Sequence, residues 1–230
     1  MRRSYAAYAA GAVAAAVSAV LAAPGGTVVG SAALRHGSQV AWLKEGSVAL
    51  HPAPASPQVS ATIARRTEFG SRTALPVVAA GRGWLKVIST NLRNGVYGYV
   101  RRWQVQVTWS ALAIDVDLSG RLLRVWRRGT VALRAAVGVG AAGTPTPIGR
   151  FGVTDKLTRF NPAAYGCCIL ALSAHQTHLR PGWPGGDRIA IHGGDGIGAA
   201  TSNGCLHATE SVLRRLMRLV PLGTQVVIHP

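Results

Sequence analysis

Cysteine is nearly absent from this chain: three residues in 230, an odd count that excludes a dense disulfide framework. Charge is sparse too, at 14% of residues against 48% hydrophobic, which excludes a disordered, self-repelling tail. No internal repeat and no heptad pattern runs through it, so solenoids and long coiled coils fall away. Beyond residue 34, Arg or Gly interrupts every apolar run before it could span a bilayer. Acidic residues are the scarcest charge: 8 Asp and Glu stand against 25 Lys and Arg, a formal net charge of +17. Such a balance suits nucleic acid, an anionic membrane surface or an anionic polymer equally well. Six Trp point to packed β structure more than to a helical bundle.

The N-terminus narrows the partners. Met1-Arg2-Arg3 is a short positive start, residues 4–34 carry no charge, and residues 5–23 are mostly Ala, Val and Gly. This reads as a secretory signal or a retained membrane anchor over 1–23. Either way the remainder is expected outside the cytoplasm, in the cell wall, the periplasm or at the outer face of the membrane, where nucleic acid is no partner. Residues 24–37 read as a tether.

Residues 38–104 read as a small β module. Gly83-Trp84-Leu85-Lys86-Val87-Ile88 and Val96-Tyr97-Gly98-Tyr99-Val100 flank Asn94-Gly95, a hairpin pattern, and three Pro within 51–57 mark a loop. Trp84, Tyr97 and Tyr99 read as the module's core, the alternative being an aromatic ligand patch. The stretch resembles the SH3-like modules of bacterial envelope proteins. A second block, 109–229, alternates through 111–118, 121–126 and 130–139, with Arg124, Arg127 and Arg134 on its polar faces. Thr144-Pro145-Thr146-Pro147 is a rigid loop, and 151–156, 169–173 and 188–192 are further strands. One helix is expected near the end: Thr209 as N-cap, Glu210 in the first turn, then Val212, Leu213, Leu216 and Val220 at helical spacing, stopped by Pro221.

The chemistry concentrates in Ile191-His192-Gly193-Gly194-Asp195-Gly196 and Ser202-Asn203-Gly204-Cys205-Leu206-His207. A Cys nucleophile needs a base, because a free thiol is mostly protonated near neutrality, and backbone amides to hold an oxyanion. Three readings compete on these residues alone: a structural Cys beside a satisfied His, a zinc site from His192, Cys205, His207 and Asp195, and a Cys–His acyl-transfer site. Adjacent Cys167 and Cys168 read as packed small hydrophobes; a redox bridge to Cys205 is the alternative.

This window resembles the signature of the L,D-transpeptidase catalytic domain (YkuD-type): His-Gly, a spacer of about a dozen residues, then Ser-His-Gly-Cys-hydrophobic-Arg. The segment Thr144-Pro145-Thr146-Pro147-Ile148-Gly149-Arg150-Phe151 and the closing Gly223-Thr224-Gln225-Val226-Val227-Ile228 resemble two further family segments, in the right order. The resemblance implies a mainly β fold: an L,D-transpeptidase-type β-sandwich with one C-terminal helix, behind the small N-terminal module. It implies peptidoglycan stem peptides as substrate, carbapenem β-lactams as acylating inhibitors, and neither cofactor nor metal. By position, Cys205 is the nucleophile and His192 its base and acid. The Ser202 carbonyl would orient the imidazole, and the amides of Asn203, Gly204 and Cys205 would form the oxyanion hole. Gly193, His207 and Tyr165 would border the substrate. Two positions depart from the pattern: Asn203 replaces the usual His, and His207 the usual Arg. A transpeptidase making 3→3 cross-links is the leading expectation. An L,D-carboxypeptidase and a non-catalytic wall-binding protein are the alternatives.

Overall fold

The computed structural model describes residues 35–158 and 163–230. The expected signal or anchor, and most of the tether, lie outside them. Seventeen strands and one α-helix form two packed units among the described residues.

The N-terminal unit contains β1 (Ser38–Leu43), β2 (Ser47–Leu50), β3 (Ala61–Ala64), β4 (Ala74–Gly81), β5 (Trp84–Val87), β6 (Gly98–Arg101) and β7 (Val105–Ser110). Five of these form a sheet in the order β6-β5-β4-β1-β7, and β2 and β3 pair beside it. The hairpin read from Asn94-Gly95 is present, with Leu85 opposite Val100 and Lys86 opposite Tyr99. The unit extends six residues past the expected end at 104. β7 pairs with β1 from Ser38↔Ser110 to Leu43↔Val105, which satisfies backbone groups that would leave β1 as an open edge. The core of this unit consists of Ala41, Leu43, Val48, Leu50, Ile63, Leu75, Val77, Leu85, Val87, Leu92, Val100 and Val105.

That list corrects one expectation. Tyr97 and Tyr99 are half-buried outside this core; Trp84 is buried, as expected, but outside the main cluster, and all three line a cavity beside it. Strand alternation explains the outcome. Leu85 and Val100 point inward, so Trp84, Lys86 and Tyr99 must point to the opposite face.

The larger unit contains β8 (Leu112–Asp117), β9 (Leu122–Arg127), β10 (Thr130–Ala136), β11 (Val139–Gly140), β12 (Gly149–Leu157), β13 (Ile169–His175), β14 (Arg188–His192), β15 (Ala200–Ser202), β16 (Leu206–His207), α1 (Glu210–Leu219) and β17 (Gln225–His229). Its sheet order is β10-β9-β8-β17-β12-β13-β14-β16. The C-terminal strand therefore inserts centrally, parallel to β8 and antiparallel to β12. β12 serves both halves. Residues 149–152 pair with β17, residues 153–157 pair with β13, and the register shifts between Val153 and Asp155. Both halves bury apolar side chains in one core, including Ile114, Val116, Leu123, Phe151, Leu170, Ile189, Ile191, Leu206 and Ile228, with Leu213 and Leu216 of α1. Each fully buried aliphatic side chain stabilises the fold by roughly 1.5–3 kcal/mol. On the outer face Arg124 pairs with Asp115 at 3.1 Å, a directly cross-strand pair.

The helix starts after Thr209, as expected, but the Thr209 hydroxyl makes no cap bond and meets Ser211 Oγ instead. An exposed Arg214–Glu210 pair supports the first turns. Arg35, at the end of the expected tether, lies on the larger unit: its carbonyl accepts from Gly129 N–H and its guanidinium stacks 4.4 Å from the Trp126 ring centre.

The two units are docked closely. Gly152 faces Pro76, where a Cβ would come within 2.3 Å of the proline ring, so only Gly admits the approach. Gln225 Nε2 donates to the Val77 carbonyl at 2.9 Å, Asn94 brackets the His175 backbone with two hydrogen bonds, and Thr67 donates to buried Asp155.

Candidate active site

Parallel pairing at the sheet edge assembles the site. Ile191 pairs with Leu206 and His192 with His207. Ile191 and Leu206 are fully buried in the core. Alternation then puts His192 and His207 on the opposite face, with Cys205 on the same side of Leu206 as His207. Cys205 is the free thiol among the three cysteines. Cys168 is buried in the core of the larger unit and Cys167 packs against it, as expected; their sulfurs are joined to each other by a disulfide, so no bridge reaches Cys205.

His192 is 7% exposed. Its Nδ1 lies 2.5 Å from the Gly193 carbonyl. A carbonyl only accepts, so Nδ1 carries the proton and Nε2 keeps its lone pair. Burial lowers the imidazole pKa to about 4; the Gly193 bond opposes the shift and nearby His207 adds to it. The ring makes tilted contacts with Tyr165, at 4.6 Å centre to centre, and with His207, at 4.9 Å. Burial raises the Cys205 thiol above its usual value, opposed by a hydrogen bond from Ala190. At neutral pH both partners are therefore uncharged. The thiol's acceptor is the Arg188 carbonyl, with sulfur and oxygen 3.9 Å apart, rather than the imidazole. A resting hydrogen bond of this kind is commonly exchanged when substrate enters.

Two of the implied roles are corrected. The Ser202 carbonyl does not hold the imidazole. It accepts from Ala141 N–H at 2.9 Å and from the Thr144 hydroxyl at 3.0 Å, because β15 pairs with β11 and turns that carbonyl away from His192. Gly193 fills the orienting position, and its own N–H donates to the Tyr165 carbonyl at 2.8 Å. The Gly204 amide is also taken: it donates to Ser202 Oγ at 3.1 Å, and that hydroxyl donates to the Cys205 carbonyl at 2.6 Å. The side chain of Ser202 thus ties the turn that presents the thiol.

Further hydrogen bonds from neighbouring segments hold the same turn. Thr146 Oγ1 donates to the Gly204 carbonyl at 2.9 Å and accepts from Gly140 N–H at 2.8 Å. Gln176 Nε2 donates to the Asn203 carbonyl at 2.9 Å and to the Pro145 carbonyl at 3.2 Å. Gly204 has φ +111°, and a Cβ there would lie 2.1 Å from Gln176 Nε2. The Thr-Pro-Thr-Pro segment, visible in sequence only as a rigid loop, therefore clamps the cysteine turn through two hydroxyls. Gln176 carries no sequence signal: it stands alone after an apolar strand.

His207 Nδ1 donates to the Asp195 carbonyl at 2.7 Å, and Gly194 passes close over its ring. Among the described residues no three His, Cys, Asp or Glu side chains converge to hold a metal. Beside the site a cavity of about 280 Å³ opens between Phe69 of the N-terminal unit and Tyr165, Ile169, Arg188 and Ala190 of the larger one. The Arg188 guanidinium is fixed there by the Leu172 carbonyl, Thr154 and Glu68. The N-terminal unit thus contributes a wall that sequence reasoning did not foresee.

A sequence model described as the L,D-transpeptidase catalytic domain matches residues 111–228. The putative L,D-transpeptidase YkuD of Bacillus licheniformis is 31% identical over 121 residues, 51% of this chain and 65% of that protein. The chain thus spans just under two thirds of the relative's length. Among solved structures, an Enterococcus faecium L,D-transpeptidase is 24% identical with a TM-score of 0.41, over 51% of this chain and 49% of that one. A Mycobacterium smegmatis L,D-transpeptidase is 12% identical with a TM-score of 0.44, over 84% and 99%. The E. faecium catalytic domain acylated by ertapenem is 24% identical with a TM-score of 0.36, over 51% and 96%.

Proposed function

The chain belongs to the L,D-transpeptidase catalytic domain family, and from that premise we propose that it is a peptidoglycan L,D-transpeptidase working through a Cys205 thioester. The observation that carries the reading is a free thiol beside β16 and a desolvated, neutral imidazole at the end of β14, on paired strands at the sheet edge and next to an open groove.

The chemistry follows from those protonation states. The Cys205 proton passes to His192 Nε2 as sulfur attacks the carbonyl of the third residue of a donor tetrapeptide. With the imidazole pKa held to about 4, that transfer is uphill in the empty site, so the thiol stays protonated until a carbonyl accepts the charge. The oxyanion is held by backbone amides of the 203–205 turn, with Gly204 excluded by its bond to Ser202. A buried imidazolium is a strong acid, and it hands its proton to the departing amine of D-Ala. The side-chain amine of a neighbouring stem then attacks the thioester, loses a proton to His192, and forms a 3→3 cross-link while the thiol is regenerated. His207, in the place of an Arg, supports the site through its bond to Asp195 and its contact with His192.

The N-terminal unit is proposed to be SH3-like, and the chain to act outside the cytoplasm, at the wall or periplasmic face, held or exported by residues 1–23. Carbapenems are expected to acylate Cys205. Intact-mass measurement should show one carbapenem adduct on the protein, lost entirely in Cys205→Ala and retained in Cys167→Ala and Cys168→Ala. Incubation with tetrapeptide muropeptides should yield cross-linked dimers. Shortened stems alone would reassign the protein as a carboxypeptidase, and unchanged muropeptides as a wall-binding protein.

A further inference from the structure

The cavity walled by Trp84, Tyr97 and Tyr99 has no part in the chemistry above. It measures about 340 Å³, within the range of small-molecule sites, and is also lined by Pro54, Arg82, Lys86 and Arg150. None of its lining residues is acidic. Lys86 Nζ lies 4.6 Å from the Tyr97 ring centre, and the Arg101 guanidinium 4.4 Å from that of Trp84. His51 packs edge-on against Trp84 at 5.4 Å. Lys86 and Tyr97 thus stand together in the lining, while Arg101 and His51 pack against the Trp84 ring. Tyr97 and Tyr99 are half-buried and stand outside the aliphatic core cluster, while Trp84 forms the buried floor.

We propose that this cavity binds an acidic glycan: a sugar ring stacked on Tyr97 and Tyr99, with its carboxylate or phosphate held by Lys86 and Arg82. The physical argument is a match of two chemistries in one volume. A purely apolar ligand would desolvate Lys86 with no counter-charge. A small inorganic anion would leave the aromatic faces uncovered. A cation finds no acidic partner. A sugar presents a flat C–H face to the rings, hydroxyls to the tyrosine oxygens, and an anionic group to the cations. Choosing a sugar over a nucleobase as the flat face rests on the cell-wall reading above. Arg150 comes from β12 of the larger unit, so a glycan seated here would contact both units.

The test is calorimetric titration of the full chain with four probes: the carboxylate-bearing disaccharide N-acetylglucosaminyl-N-acetylmuramic acid, neutral diacetylchitobiose, polyglutamate and oligothymidylate. The acidic disaccharide should bind, with the neutral one at least about tenfold weaker, the loss of one charged contact. Tyr97→Ala and Lys86→Met should each weaken it by a similar factor while leaving the carbapenem adduct at Cys205 unchanged. That unchanged adduct also reports that the variants fold. Equal binding of both disaccharides, or binding of polyglutamate that Tyr97→Ala does not alter, would overturn the proposal. So would tighter binding of oligothymidylate, which would make the site one for nucleic acid. Failure here with the adduct intact leaves the reading at Cys205 standing; loss of the adduct from the unsubstituted chain strikes that reading alone.

Discussion

The two units are built from the same material, short strands around an aliphatic core, yet they treat their chemically active side chains in opposite ways. In the larger unit the 202–205 turn is held from every side: Thr144, Thr146 and Gln176 donate to its carbonyls, and Ser202 closes it from within. In the N-terminal unit, Tyr97, Tyr99 and Lys86 stand half-buried at an open mouth, joined by cation–aromatic contacts rather than by hydrogen-bond networks. The difference matches the two proposed roles. A nucleophilic thiol would have to be placed to within fractions of an ångström, whereas a stacking platform would tolerate slack.

Four measurements bear on that contrast, from the largest expected effect to the smallest. Leu85→Ala removes a buried side chain from the N-terminal core and should cost about 2–5 kcal/mol. Because Gly152 and Gln225 dock the units closely, calorimetry should show one shared transition moving to lower temperature. Two separated transitions would show that the contrast extends to folding.

Acid should weaken the larger unit through His192. Its folded pKa of about 4 lies below the ordinary value of 6.5, so between those values the unfolded chain binds more protons. Stability from this group is complete above about pH 6.5 and is lost as pH falls toward 4, at most about 3 kcal/mol. Denaturant midpoints at several pH values should follow that curve, and His192→Gln should flatten it.

Thr146→Val keeps the shape but deletes the hydroxyl that serves both Gly204 and Gly140. A buried carbonyl and N–H are left unpaired, at a cost of about 1–3 kcal/mol by chemical denaturation, and acylation of Cys205 should slow as its turn loosens. An unchanged acylation rate would argue against the clamp. Tyr97→Ala should cost least, about 0.5–1 kcal/mol, the worth of one exposed cation–aromatic pair. A much larger loss would place Tyr97 in the core after all.

Much was legible beforehand because it is local. The Asn94-Gly95 hairpin, the strands at 111–118 and 151–156, the helix after Thr209 and the Cys–His window all follow from periodicity, turn residues or motif spacing. The assignment of Tyr97 and Tyr99 to the core did not hold, although Trp84 is buried, because composition cannot say which face of a strand turns inward. The boundary at 104 failed for a related reason: β7 is recruited by the unpaired edge of β1, a partner more than sixty residues away.

The sequence by itself determined the chemical repertoire: a cysteine near a His-Gly turn, a Gly beside that cysteine, and a Thr-Pro-Thr-Pro loop. Only the tertiary structure decided how those parts are used. Insertion of β17 between β8 and β12 and the parallel pairing of β14 with β16 bring residues far apart in the chain into one edge. That packing buries His192 until its imidazole is neutral, turns the Ser202 carbonyl toward Thr144, and gives the imidazole to Gly193. Desolvation and hydrogen-bond direction are properties of what surrounds a group in space, which no linear pattern of residues records.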